Sequence, residues 1–275
     1  MIKLPRLFSE KVFEAWNLYK ECKLSPLDWL KIRKMPRYKK GFVSLWGEKW
    51  EYVDGNTLLA GLKEIFLDKC FQFTTDNDSP LIIDCGSNIG FSVLYFKKLY
   101  PKARVIAFEA DPQICEVLSR NVNKVGLKGV TIINKAVWDS DETLEFRLEG
   151  GMSGRVRINE EPGDLFQIKG ARLKNYLDNK VDFLKIDIEG AEYRVIKDCK
   201  DMLKNVKLLF LEYHAPQSED QTLSEILEFL KSAGFRNYIK EAYVPINPFL
   251  EISTLDGMDL QLNIYSVRDV KNNFL

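Results

Sequence analysis

Close cysteine pairs are missing from this sequence. The five cysteines, Cys22, Cys70, Cys85, Cys115 and Cys199, are odd in number, widely spread and form no C-x-x-C pair. That argues against a disulfide framework and against a zinc site. Also missing is any apolar run long enough to span a bilayer. Residues 1–20 interleave charges with apolar residues and leave no signal-peptide core, so a reduced, cytoplasmic protein is the expectation. Net charge is absent too: 40 Lys/Arg balance 40 Asp/Glu, which argues against a bulk nucleic-acid binder. There is no internal repeat and no low-complexity segment. What remains is an ordinary globular composition, 45% apolar and 29% charged, able to bury a sizeable core.

The charge balance is not local. Residues 1–40 hold eleven Lys/Arg and four Asp/Glu, a net of +7, and the densest run is KIRKMPRYKK at 31–40. Two readings stand side by side. One is a solvated basic helix end. The other is a patch for phosphate groups, on a lipid surface touched peripherally or on a diphosphate-carrying substrate.

From residue 81 the chain alternates strand and helix. Strands are expected at LIID (81–84), RVIAFE (104–109), VTIINKAV (130–137), DFLKID (182–187) and KLLFLEY (207–213), with FRNYIK and LQLNIYSV last and a short pair from TLEFRL and RVRIN. Helices follow most of them. Asp111 and Pro112 open one helix and Gly126 closes it. Strands that are short, apolar on both alternations and separated by helices form a mostly parallel sheet covered on both faces. Residues 81–275 are read as this domain. Residues 1–80, with two helical stretches, a hairpin FVSLWGEKWEYV turning at Gly47 and a further helix, are read as an extension packed on it. Its two helical stretches carry Phe8, Phe13, Trp16 and Leu18, then Leu27, Trp29 and Leu30, and the aromatic residues are expected in the core rather than at a binding site.

Ligands on such sheets sit beyond the carboxyl ends of the strands. The first strand end reads LIIDCGSNIGFSVLYF, a strand broken by D-x-G-x-N-x-G and resumed as a helix. Gly86 and Gly90, flanking Asn88, allow close ligand approach and tight packing. The G-x-G-x-x-G of a pyrophosphate-binding dinucleotide fold is absent, which disfavours a nicotinamide oxidoreductase. Asp84 stands where phosphates would be repelled and suits a ligand with a positive end, an ammonium or a sulfonium. S-adenosylmethionine has both. Glu109, 25 residues on, is placed to accept from ribose hydroxyls. Ala136 and Val137, at the third strand end, are expected to flank an adenine.

The fourth and fifth strand ends add acids and the single histidine. KIDIEGAE (185–192) brings Asp187, Glu189 and Glu192 into one turn, and LEYHAP (211–216) puts Glu212 and His214 on one side of a strand. Glu189 and Glu192 have a plain alternative reading as helix-capping charges. Asp187 and Glu212 are read as functional, because carboxylates at the end of a buried strand are costly without a purpose.

Together IIDCGSNIG, FEADP, NKAV, KIDIEGAE and LEYH resemble the FkbM family of methyltransferases, over about residues 80–215, with NIYSVR a weaker match. The resemblance implies a Rossmann-like class I methyltransferase fold of seven strands, the last antiparallel. It also implies S-adenosylmethionine as methyl donor and an oxygen acceptor, often a sugar hydroxyl on a polysaccharide, glycolipid or polyketide.

A sugar hydroxyl is a poor nucleophile, so a base or a metal should assist it. His214 is the expected base with Glu212 orienting it. The alternative is magnesium or manganese on Asp187 and Glu189. The glycine-rich stretch 150–164 is read either as a lid or as a plain surface loop. Rival functions are methyl transfer to a non-sugar acceptor and a non-catalytic domain of the same fold that binds a glycan or partner. The set Asp84, Gly86, Gly90, Glu109 and Asp187 argues against the last.

Overall fold

A computed structural model describes residues 6–148, 154–156 and 165–268. The chain opens with helices α1 (Arg6–Cys22) and α2 (Pro26–Arg33), then the antiparallel hairpin of β1 (Gly41–Leu45) and β2 (Glu48–Tyr52). Trp46 and Gly47 both take positive φ, the conformation a tight two-residue hairpin turn needs. Helix α3 (Gly55–Leu62) widens into a π-helical turn over Lys63–Leu67.

The sheet domain follows with β3 (Leu81–Cys85), α4 (Phe91–Leu99), β4 (Arg104–Phe108), α5 (Pro112–Val125) and β5 (Val130–Ile133). Asp111 caps α5 by accepting from the Gln113 and Ile114 N–H groups, and Gly126 ends it in the left-handed conformation, as the sequence indicates. Then come β6 (Ala136–Trp138), β7 (Thr143–Leu148), β8 (Gly154–Val156), β9 (Leu165–Arg172), β10 (Val181–Ile186), α6 (Glu192–Cys199), β11 (Val206–Pro216), α7 (Leu223–Ser232), β12 (Arg236–Tyr243) and β13 (Met258–Val267).

The main sheet has seven strands in the order β12-β13-β11-β10-β3-β4-β5. The five strands from β11 to β5 run parallel, and β13 is reversed between β11 and β12. The order turns back at β3 and β10, and in such sheets the crevice beyond the carboxyl ends at that point takes the ligand. This is the Rossmann-like arrangement with a single reversed strand that the resemblance implies.

Two expectations change, and a third falls largely outside the described residues. The third strand is not continuous through residue 137. Lys135 N–H donates to the Ile133 carbonyl and the Asn134 amide donates to the carbonyls of Glu109 and Ala110, so the chain turns there. Ala136 and Val137 then start a second sheet of order β6-β9-β7-β8, whose strand β9 the sequence reading missed. Second, the aromatic residues of the first two helices, expected in the core, are not all buried, and their leucines divide in the same way. Leu18 and Trp29 are buried, but Phe13, Trp16, Leu27 and Leu30 are exposed. Each helix is covered only on the face that packs on its neighbour and on α3 with its π-turn, so residues on the other faces stay open. Third, 150–164, read as a lid or loop, lies outside the described residues except for the backbone of β8.

The extension does not have a core of its own. One apolar cluster runs from Trp50, Leu58 and Phe66 through Phe91 and Phe96 to Phe183 and Phe210. Phe96 lies 5.3 Å from Phe183 and 5.8 Å from Phe71, ring centre to ring centre. Burial of one such ring contributes about 1.5–3 kcal/mol. The packing fixes α3 and its π-turn against the carboxyl ends of the strands, where they help enclose a cavity.

Candidate active site

The cavity has a volume of about 270 Å³ and is bounded by the β3–α4 loop, the ends of β10 and β11, the α3 region and the start of β13. The β3–α4 loop is shaped by three residues with positive φ, Gly86, Asn88 and Gly90. Its backbone is tied to the next strand: Gly86 and Ser87 N–H donate to the Phe108 carbonyl at 3.1 and 2.9 Å, and Asn88 N–H donates to Glu109 Oε2 at 2.9 Å. The two glycines do different work. A Cβ on Gly86 would stand 1.9 Å from the Asp187 carbonyl oxygen, so only glycine lets the first and fourth strand ends touch. A Cβ on Gly90 would stand 2.8 Å from Leu118 Cδ1, so that glycine seats α4 on α5.

Gly86, Asn88, Asp187, Glu189, Glu212 and His214 all line the cavity. Asp84, Gly90, Glu109, Ala136 and Val137 do not. Asp84 is fully buried: its Oδ2 accepts from Ser92 Oγ at 2.5 Å and its Oδ1 lies 3.4 Å from Lys185 Nζ. The expectation that Asp84 meets a ligand ammonium gives way to an ion pair inside the protein. Ala136 and Val137 are buried in separate apolar clusters because the chain leaves the main sheet before them, so they present no open edge to an adenine.

Lys185 was overlooked in the sequence, although a lysine inside the apolar run DFLKID was the signal. Its ammonium is buried, donates to the Gly86 carbonyl at 2.8 Å and to Asp187 Oδ2 at 3.2 Å, and reaches Asp84. Burial alone would push its pKa down, but Asp187 and Asp84 outweigh that and hold it above its ordinary value. It pins the β3–α4 loop to the end of β10.

Glu109 is also buried. Its two carboxylate oxygens accept from the Asn88 and Asp111 N–H groups, and burial nevertheless pushes its pKa up to about 7.

At the fifth strand end, alternation works as expected. Glu212 and His214 face the cavity while Tyr213, between them, is buried in the core on the other side. The partner that orients His214 is Glu192, for which the sequence leaves both a functional and a helix-capping reading open. Glu192 Oε1 lies 3.0 Å from His214 Nδ1, and its carboxylate also accepts from the N–H groups of Ile188 and Gly190. Glu212 Oε1 and Glu189 Oε2 lie 3.8 and 3.7 Å from His214 Nε2. Burial alone would lower the imidazole pKa, but Glu192, Glu189 and Glu212 raise it well above the ordinary value. Burial, then the Asp187 charge, pushes Glu212 up to about 8. Glu64, from the π-turn after α3, is raised by the same two causes.

Among the described residues, the group with metal-ligand geometry is Asp187, Glu212 and His214, whose ligand atoms lie within 4.8 Å of one another. It shares Asp187 with the pair expected from the sequence and replaces Glu189 by the residues of β11.

Residues 84–237 match the family described as the methyltransferase FkbM domain. The chain is 31% identical over 171 residues to methyltransferase sdnD of Sordaria araneosa, covering 49% of this chain and 66% of that one. It is 28% identical over 165 residues to methyltransferase 1 of Beauveria bassiana, covering 50% and 66%. The matches thus fall just short of two thirds of both relatives. It is 25% identical over 171 residues to the 2-O-methyltransferase NoeI of Sinorhizobium fredii, covering 54% and 68%. Among solved structures, the FkbM methyltransferase of Methylobacillus flagellatus is 18% identical with a TM-score of 0.46, covering 77% of this chain and 54% of that one.

Proposed function

The chain belongs to the FkbM methyltransferase family, and on that premise we propose that it transfers a methyl group from S-adenosylmethionine to a hydroxyl oxygen of a sugar-bearing acceptor. The observation that carries this reading is that Gly86 and Asn88 line the same cavity as Asp187, Glu212 and His214. The relative named a 2-O-methyltransferase supports oxygen as the acceptor atom.

The donor set fits the cofactor. Glu64, Asp187, Glu189 and Glu212 face a cavity whose cations Arg37, Lys185 and His214 are already held by Asp54, Asp84, Asp187 and Glu192. Such a site favours a sulfonium and an ammonium over a pyrophosphate. Gly86, Asn88 and Asp187 would hold the amino-acid end. Glu109 lies outside this cavity and acts behind it, ordering the β3–α4 loop through its bonds to the Asn88 and Asp111 N–H groups. When bound, the cofactor supplies an electrophilic methyl group.

The chain's own tasks are to align the acceptor oxygen, exclude water and take the hydroxyl proton. We assign the proton to Glu212, whose raised pKa makes it a stronger base than an ordinary carboxylate. His214, held by Glu192, stays cationic and stabilises negative charge beside it. This exchanges the roles expected from the sequence, where His214 was the base and Glu212 its orienting partner, because three carboxylates around the imidazole favour its protonated form. A divalent cation on Asp187, Glu212 and His214 is the second reading, carried by the closeness of their ligand atoms.

Thermal shift tests the cofactor. S-adenosylmethionine and its demethylated product should raise the melting temperature and NAD should not, while Asp187→Asn should shrink the shift. Equal stabilisation by NAD, or none by either methyl cofactor, ends the reading. With a radiolabelled methyl donor, label should appear on a monosaccharide after acid hydrolysis of the product. Label on a non-sugar fragment moves the acceptor to another class, and loss of turnover with a chelator selects the metal reading.

A further inference from the structure

The connection between β12 and β13, residues 244–257, is VPINPFLEISTLDG. It carries five apolar side chains turned to solvent: Ile246, Phe249 and Leu250 are exposed at 93%, 103% and 86%, and Ile252 and Leu255 at 54% and 44%. Single exposed apolar residues are ordinary, but a cluster on one connection marks an interaction surface. The connection has built shape. Leu250 and Glu251 N–H donate to the Asn247 carbonyl, Leu255 and Met258 bridge, and the Tyr243 and Ser253 hydroxyls meet at 2.9 Å. Its two prolines, Pro245 and Pro248, limit the backbone further. Its base enters the active-site cavity through Leu255 and Asp256.

The same cavity is lined by Arg37, from the basic run 31–40. Lys31, Arg33, Lys34, Arg37, Lys39 and Lys40 are all exposed, and no acidic residue occurs between Asp28 and Glu48. Just before this run, Trp16 and Leu30 sit exposed beside Lys11, Arg33 and Lys34 in a groove of about 480 Å³. The cavity is therefore bordered by exposed cations, of which Lys31 and Arg37 pair with Asp28 and Asp54, and by a shaped apolar connection that itself carries Glu251 and Asp256. A protein partner would accept the apolar part. The added run of cations is the chemistry of an anionic bilayer surface, which attracts basic segments and accepts aromatic and aliphatic side chains below its headgroups.

We propose that the chain docks on an anionic membrane through residues 246–252 and the basic run 31–40, with the cavity meeting an acceptor carried by a lipid in that membrane. The second half rests on the methyl-transfer reading; the docking itself does not.

Co-sedimentation of the full chain with vesicles of phosphatidylcholine, alone or with phosphatidylglycerol, tests it. The chain should pellet with the anionic vesicles, less so as salt rises. The combined Ile246→Ser, Phe249→Ser and Leu250→Ser variant should bind at least about tenfold more weakly, since each loses buried apolar surface. A Lys31→Gln, Arg33→Gln, Lys34→Gln and Lys39→Gln variant should lose the salt-dependent part. Circular dichroism and an unchanged melting temperature without ligand confirm that both variants are folded. No vesicle binding by the unaltered chain, or equal binding by both variants, overturns the proposal. Concentration-dependent self-association abolished by the serine variant, with no vesicle binding, overturns it in favour of a protein interface. Vesicle binding with no cofactor-induced shift would leave docking standing and remove the enzymatic reading alone.

Discussion

His214 Nδ1 lies 3.0 Å from Glu192 Oε1, and both side chains are almost wholly buried. This contact fixes which ring nitrogen faces the cavity. Because the chain has a single histidine, its titration is directly readable by NMR. Its pKa should lie above the ordinary value of about 6.5. Glu192→Gln should lower it and reduce turnover by about 10- to 100-fold, the usual scale for losing an orienting carboxylate, with cofactor binding retained. An unchanged imidazole titration would show that Glu192 does not control the ring.

Turnover should rise with pH. The ionised form of Glu212 is the active base in this assignment, and burial with Asp187 pushes its pKa up to about 8. Below that value the carboxyl keeps its proton, so activity should climb through pH 7 and level off above about 8. Glu212→Gln should lose about a hundredfold or more in turnover and flatten the profile. A bell centred below neutrality would contradict the assignment.

Gly86→Ala should fail at two levels. The φ of +88° is strained for any residue with a side chain, and the new Cβ would press on the Asp187 carbonyl oxygen. A stability loss of about 2 kcal/mol or more is expected in urea unfolding, together with loss of cofactor-induced stabilisation. Wild-type stability and binding would mean the loop and the β10 end are not held together as described.

Lys185→Met should be among the most damaging single changes, at about 3–5 kcal/mol, because it leaves Asp84 buried without its cation. Adding Asp84→Asn should recover part of the loss, and a double-mutant cycle measures the coupling. Additive effects would refute a direct Asp84–Lys185 interaction.

Much of this molecule was legible in one dimension because local patterns report local physics. Asp111, Pro112 and Gly126 mark both ends of α5 by the capping their side chains or backbone can supply, and the apolar runs before 215 describe strands buried on both faces. Alternation alone put Glu212 and His214 on one face. The motifs at the strand ends pointed to the family, and that resemblance implied seven strands with one reversed.

Pairings made over long sequence distances were not legible. Asp84 was assigned to a ligand because the sequence does not show that Lys185, 101 residues away, reaches it from the neighbouring strand. The sequence left Glu192 open between a functional acid and a helix-capping charge, because its contact with His214 exists only once β11 lies beside α6. Ala136 and Val137 looked like a strand end until the turn at Asn134 carried them into another sheet. The exposure of Trp16 and of Phe249 was equally hidden. An apolar side chain carries the same pattern whether or not a partner covers it, and only the packed arrangement of the whole chain decides which faces are left open.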